Sequence, residues 1–209
     1  MDAAEWDARY AQHDLVWGAG PNRSVAAELA ELAPGRALDV ACGEGRNAIW
    51  LASRGWPAVG VDFSTTGLQR ARRLATEAGV ADRTEFVHGD VVSGPLPDGP
   101  FDAIVIAYLQ VPADQRRKAL QLAVDELAPG GTLLLVAHDS TNLAEGYGGP
   151  QDPVVLYTPS DVVADLRGLP GLGVEKNERV LRHVKSPEGE RTAIDALVRV
   201  HRAPDGPAA

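Results

Sequence analysis

The residues of this chain best suited to chemistry each follow a short apolar run. Ala37-Leu-Asp-Val-Ala-Cys-Gly-Glu-Gly45 reads as a buried strand breaking into a glycine turn, and the helical pattern from Arg46 to Arg54 begins at once. Gly43 and Gly45 lack Cβ atoms, so the backbone can turn sharply there and a ligand can lie almost against it. A helix starting at such a turn aims its unpaired N–H groups and partial positive end at whatever fills the turn. Asp62 ends the run Ala58-Val-Gly-Val, Asp90 follows Phe86-Val-His-Gly, Tyr108 follows Ile104-Val-Ile-Ala, and His138 with Asp139 follows Leu133-Leu-Leu-Val-Ala. A carboxylate can accept from paired hydroxyls, and an imidazole can take or give a proton near neutral pH.

These groups act together only if the fold gathers them. Strands are predicted over Arg36 to Cys42, Pro57 to Phe63, Thr84 to Val87, Phe101 to Ala107 and Thr132 to Ala137. Helical spacing lies between them, including a helix capped near Ser64 to Thr66 and one from Ala113 to Ala128 that Pro129-Gly-Gly stops. Strands apolar throughout and separated by helices mean an α/β fold with a parallel sheet covered on both faces. In such sheets ligands sit beyond the carboxyl ends of the strands, which collects the glycine turn, Asp62, Asp90, Tyr108 and His138 on one edge. Towards the end the period changes. Ile194, Ala196, Val198 and Val200 alternate with polar residues, and with Val174 to Val184 they predict an antiparallel hairpin. A helical arm with Trp6 and Tyr10, then a loop with Trp17, open the chain; the arm reads either as a plug packed on the core or as a cover for the ligand.

With 209 residues, 44% hydrophobic and 23% charged, the chain fits one globular domain over 1–203 with an N-terminal arm over 1–34, and 204–209 is expected to be a disordered tail. No apolar run is long enough to span a bilayer and no targeting segment is visible, which predicts a cytoplasmic protein without membrane partners. A net charge of −9 argues against nucleic acid as partner, and Arg70, Arg72 and Arg73 read as the solvated side of a helix. The five histidines are scattered without ligand spacing, so no metal is expected, and the single Cys42 reads as a packed thiol.

Gly43-Glu-Gly45-Arg-Asn-Ala48 also fits the dinucleotide fingerprint, with Asp62 near the distance for a ribose, so a nicotinamide oxidoreductase using NAD(P) is an alternative. Against it, no tyrosine is followed four residues later by lysine. A phosphate loop of the Gly-Lys-Ser/Thr type is absent. Taken together, Asp39-Val-Ala-Cys-Gly-Glu-Gly45, Val61-Asp-Phe-Ser64, Gly89-Asp90 and Leu127-Ala-Pro-Gly-Gly-Thr-Leu-Leu-Leu135 resemble the successive motifs of class I S-adenosylmethionine-dependent methyltransferases. Trp6-Asp-Ala-Arg-Tyr10, Trp17-Gly and Cys42-Gly-Glu-Gly-Arg-Asn47 are most similar to the tellurite-resistance and thiopurine methyltransferase branch. One departure is Ala41, where the family usually has glycine.

The resemblance implies a three-layer Rossmann-like methyltransferase fold, a mostly parallel seven-stranded sheet closed by the C-terminal antiparallel hairpin. It implies S-adenosyl-L-methionine as cofactor, S-adenosyl-L-homocysteine as product and a small-molecule methyl acceptor attacked in line, in a monomer or homodimer. Asp62 would accept the ribose hydroxyls, Asp90 and the Val91 backbone would read the adenine, and Phe63 would offer it an apolar face. Ala41, Cys42, Gly43 and Gly45 would pass along the methionine part, with Asp39 steadying the turn or the ammonium group and Arg46 pairing with the carboxylate. Trp17 and Ala107 complete the expected cofactor contacts. A hydroxyl acceptor needs a base, for which His138 with Asp139 beside it is the candidate, and Tyr108 would orient the acceptor. Trp17, Tyr147 and the loop from Ser140 to Pro153 are expected to form a lid. A non-catalytic cofactor-binding protein on the same fold is the other alternative.

Overall fold

The structure, a computed structural model, describes residues 2–12, 18 and 20–204. Helices α1 (Ala3–Gln12) and α2 (Arg23–Leu29) precede β1 (Ala37–Val40), α3 (Arg46–Ser53), β2 (Ala58–Asp62), α4 (Thr65–Glu77), β3 (Thr84–His88), β4 (Phe101–Ala107), α5 (Ala113–Asp125) and β5 (Leu127–His138). Then follow α6 (Asn142–Glu145), α7 (Pro159–Asp165), β6 (Leu172–Ser186) and β7 (Gly189–Arg202). The seven strands form one sheet in the order β3-β2-β1-β4-β5-β7-β6. β1 to β5 are parallel, and β7 runs antiparallel to both β5 and β6. The Rossmann-like topology and the closing hairpin expected of the sequence are both present.

The predicted strand β4 has the expected ends, but α5 stops earlier than Pro129 suggests. It ends at Asp125, and Leu127-Ala-Pro-Gly-Gly131 is already strand, pairing Leu127 with Phe101 before a register shift. The edge-like geometry of that first stretch tolerates a residue without an N–H, so proline sits in β5 and does not cap the helix.

Side-chain alternation divides the core into two layers. Leu38, Val40, Val61, Ile104, Ile106, Leu133 and Leu135 face α5 and α7. Ala37, Ala58, Val105, Leu134, Val136 and Leu197 face α2, α3 and α4. Because strand side chains repeat every second residue, Asp39, Asp62, His138 and Asp195 all fall on the second face, in step with Ala37, Ala58, Val136 and Leu197. That parity, added to the common carboxyl edge of β1, β2 and β5, puts four titratable groups on one side of one sheet edge.

The N-terminal arm is docked on α4. Asp7 accepts from the Ser64 and Thr65 hydroxyls and from the Thr66 N–H, acting as a second cap to α4. Tyr10 is buried against Gly67, where an added Cβ would lie 3.1 Å from its ring and 3.2 Å from the Gly43 carbonyl. The arm therefore packs on the core at the glycine turn itself. Trp17 lies outside the described residues, as do 205–209 of the expected tail.

Candidate active site

The glycine turn is built by backbone that only a few residue types adopt easily. Ala41, Gly43 and Gly45 have φ of 56°, 54° and 75°. At Gly45 the demand comes from packing as much as from conformation: a Cβ there would sit 2.7 Å from Phe86 and 2.9 Å from Ala71, so glycine lets α3 approach β3 and α4. Ala41 takes the left-handed conformation in spite of its methyl group, which packs against the core on the α5 side. It bends the turn under strain instead of obstructing the face that carries the carboxylates. Cys42 turns its sulfur toward Gly60, where an added Cβ would be 2.8 Å away, and burial pushes its thiol up, so only its backbone can line the site.

Asp62 braces this turn. One carboxylate oxygen accepts from Gly43 N and the other from Ser64 N, both at 2.8 Å. Each oxygen keeps a second lone pair, which suits a ligand with two adjacent hydroxyls. Burial raises its pKa in spite of those bonds. Asp39 is deeper, 1% exposed, and accepts from Ala48 N at 3.1 Å through one oxygen. Its other oxygen is buried without a hydrogen bond, and desolvation raises the carboxyl to about 7. An orphaned carboxylate oxygen beside a cradle of left-handed backbone is a place for a cationic group. Arg46 begins α3, and burial lowers its pKa, with Tyr108 and Asp39 acting against that shift.

Asp90 is exposed and accepts from Val92 N at 3.0 Å and from the Ser93 hydroxyl, which fixes the turn after β3. The Val91 side chain is buried in the α5-side core, so only its backbone can face a ligand. Phe63 is half-buried, its carbonyl 3.1 Å from His88 Nε2, and Ala107 packs at the end of β4. The basic cluster is not simply solvated: Arg70 pairs with the buried Glu44 of the turn at 3.1 Å, and Arg72 donates to the Phe86 carbonyl at 2.6 Å. Arg73 is exposed, with Glu77 3.2 Å away.

At the other end of the edge, the partner of His138 is not the expected one. Asp139 is fully buried, but it accepts from Thr141 N at 2.8 Å and the Thr141 hydroxyl at 2.7 Å and lies 3.0 Å from Arg179. Successive strand residues point to opposite faces, so adjacency in sequence separates the two side chains. The register instead sets His138 opposite Asp195 of β7. His138 Nδ1 lies 3.4 Å from Asp195 Oδ1. Asp195 Oδ2 accepts from the Tyr108 hydroxyl at 2.8 Å and from Arg182 Nε at 2.7 Å, while Arg182 Nη2 reaches Oδ1 at 3.2 Å. Burial works to raise the Asp195 carboxyl, yet donation by His138, Arg182 and Tyr108 holds it below its ordinary value. Tyr108 has φ of 61°, a bulky residue in left-handed backbone, and burial followed by the Asp195 charge raises its phenol. Asp195 and Arg182 were hidden in the sequence because they read as the polar side of a half-exposed hairpin.

The expected lid is anchored. Asn142, 2% exposed, accepts from Ile194 N at 2.7 Å and donates to the Gly148 carbonyl at 2.8 Å. Gly149, with φ of 80°, lies against the imidazole, where an added Cβ would be 2.9 Å from His138 Nδ1. Tyr147 stays 41% exposed. Gln110 accepts from His138 N at 2.8 Å and donates to the Val155 carbonyl, tying the end of β5 to the same connection.

The comparisons agree with this architecture. Residues 37–131 match the methyltransferase domain family. It is 40% identical to a demethylmenaquinone methyltransferase of Thermus thermophilus over 126 residues, 59% of this chain and 54% of that one. It is 37% identical to a tRNA 5-carboxymethoxyuridine methyltransferase of Escherichia coli over 121 residues, 55% of this chain and 45% of that one. The chain thus spans about half the length of these curated relatives. A protein solved in work on the conversion of a disulfide bond into a thioacetal group during echinomycin biosynthesis has the same fold, with a TM-score of 0.75 at 21% identity over 98% of this chain and 93% of that one. Among the described residues no helix is long and apolar enough to cross a membrane, and no group of three or more histidine, cysteine or acidic side chains could hold a metal.

Proposed function

We propose that this chain is an S-adenosyl-L-methionine-dependent methyltransferase that moves a methyl group to a small-molecule nucleophile by direct in-line displacement. The observation that carries the reading is the shared edge: the turn braced by Asp62 and the Tyr108–His138 pair lie on the same face at the carboxyl ends of neighbouring strands. When bound, the cofactor supplies an electrophilic methyl group on a sulfonium, whose sulfur keeps the C–S electron pair. The protein then has to place a nucleophile in line and exclude water. Asp62 would hold the ribose hydroxyls through its spare lone pairs. The buried free oxygen of Asp39 would face the ammonium group, and Arg46 the carboxylate. Asp90 with the Val91 backbone and Phe63 would frame the adenine.

A small acceptor is supported by the seclusion of the far end, where His138 is 12% exposed under Gly149. The net charge of −9 disfavours a polyanionic acceptor. Tyr108-Leu-Gln110 also lacks the Asn/Asp-Pro-Pro-aromatic pattern expected at that place in enzymes acting on base amino groups. The tellurite-resistance and thiopurine methyltransferase branch, on the strength of Trp6 to Tyr10 and Cys42 to Asn47, is part of this proposal.

Thermal unfolding with S-adenosyl-L-homocysteine and with NAD tests it. A ligand at about a hundred times its dissociation constant stabilises by roughly 2.7 kcal/mol. At roughly 2–4 °C per kcal/mol, S-adenosyl-L-homocysteine is expected to raise Tm by about 5–10 °C in the wild type. Asp62→Ala, measured from its own baseline, should lose that rise. A rise with NAD alone would replace the methyltransferase reading with an oxidoreductase one.

A further inference from the structure

Resting on the methyltransferase reading, we propose that Asp195 is a positioning residue that keeps the proton of neutral His138 on Nδ1, so that Nε2 takes the proton of a weakly acidic hydroxyl acceptor. The hairpin delivers this carboxylate. His138 and Asp195 are direct cross-strand partners, and Arg182 sits diagonally on the same face because its own partner is Ala193. Asp195 is fully buried, and two donors, the Tyr108 hydroxyl and Arg182 Nε, occupy Oδ2. Oδ1 receives only Arg182 Nη2 at 3.2 Å, and His138 Nδ1 stands 3.4 Å away on its open side. Nδ1 is itself buried and makes no hydrogen bond in this geometry, and Asp195 Oδ1 is the acceptor it faces. An ionised carboxylate can only accept, so the nitrogen facing it must be the one that carries the proton.

The ring is held in that orientation from two sides. Gly149 leaves no room for a Cβ beside the ring, since one would lie 2.9 Å from Nδ1 and 3.0 Å from Cε1 and Cγ, and the Tyr108 ring lies 4.9 Å away, tilted by 38°. The charged and titratable groups around His138 are Asp195 on β7, Arg182 on β6, the Tyr108 phenol after β4 and Arg46 at the start of α3, near Tyr108 and Arg182. Asp139, next in the chain, is committed to Thr141 and Arg179. Arg182 offsets the charge of Asp195. In the reaction the acceptor O–H bond breaks with its electron pair left on oxygen, oxygen takes the methyl group, and the proton passes to Nε2 and then to solvent. A thiolate acceptor arrives without that proton and would leave the arrangement idle.

Nitrogen NMR on protein labelled at histidine tests the pair directly, with His138 assigned from His138→Gln. The wild type should show neutral His138 as the Nδ1–H tautomer. Asp195→Asn should change the tautomer, because the amide can present a donor to Nδ1 where the carboxylate could only accept. An Nε2–H tautomer in the wild type overturns the proposal even if the variant fails to fold, and so does a variant with unchanged tautomer. The acceptor class is tested with phenol and thiophenol. His138→Gln should cut transfer to phenol by about a hundredfold or more, the range of general base catalysis, and at least tenfold more than transfer to thiophenol. Transfer to thiophenol alone, or to neither while S-adenosyl-L-homocysteine binds, overturns the hydroxyl acceptor. Failure of S-adenosyl-L-homocysteine to bind the wild type overturns the cofactor reading instead, and the tautomer result still decides the His138–Asp195 pair.

Discussion

Asp39 and Asp195 lie at the two ends of the same sheet edge, 1% and 0% exposed, and their carboxyls are shifted in opposite directions. The Asp39 carboxyl is desolvated, and the Ala48 N–H, the Asn47 side chain and the Arg46 charge offset this only in part, so that it rises to about 7. Asp195 is as thoroughly desolvated, but a guanidinium, a phenol and an imidazole surround it and hold it low. Burial alone therefore does not set the charge of a site; the donors that fold with the carboxylate do. The end with Asp39 keeps one carboxylate oxygen without a hydrogen bond. The end with Asp195 completes itself from the protein.

Breaking the completed end should have the largest effect. Asp195→Ala would strand Arg182, which is a quarter exposed and can recover part of its solvation, so a loss of about 3 kcal/mol is expected, at the lower end for a broken buried pair. Urea unfolding at pH 7 measures it. For the incomplete end, a raised folded-state pKa means that stability is fully present below the unfolded value near 4 and is lost as pH rises to about 7. Asp195, held low, contributes no slope in that window, and its contribution is lost only as pH falls through its own depressed value. Asp39→Asn should therefore flatten the pH dependence between about 4 and 7 and add on the order of 1 kcal/mol at pH 8. Unchanged stability at pH 8 would mean that Asp39 is not desolvated. The smallest effect is expected at Ala41. Left-handed backbone costs an L-residue roughly 1–2 kcal/mol, and glycine returns about 0.5–1 kcal/mol of that through chain entropy. Ala41→Gly should then raise stability by about 0.5–1 kcal/mol, read as a shift in urea midpoint at constant slope.

Much of this molecule was legible in its residues because local chemistry determined it. Apolar runs ending near Gly43, Asp62, Tyr108 and His138 dictate strands, and the alternation from Ile194 to Val200 dictates the hairpin. Ser64 caps α4 as its side chain requires. What only the tertiary structure decided are the pairings across strands. Asp139 is adjacent to His138 in sequence and turned away from it, because neighbours in a strand face opposite sides. Asp195 is 57 residues further on and directly opposite, because β7 returns antiparallel to β5 in one register among several that the apolar pattern allows. Likewise Gly45 is glycine for the sake of Phe86 and Ala71, a packing demand from β3 and α4 that the turn motif itself does not contain. Sequence sets the direction of each side chain along its own strand; which charges meet depends on how distant strands are registered, and that is settled only when the sheet closes.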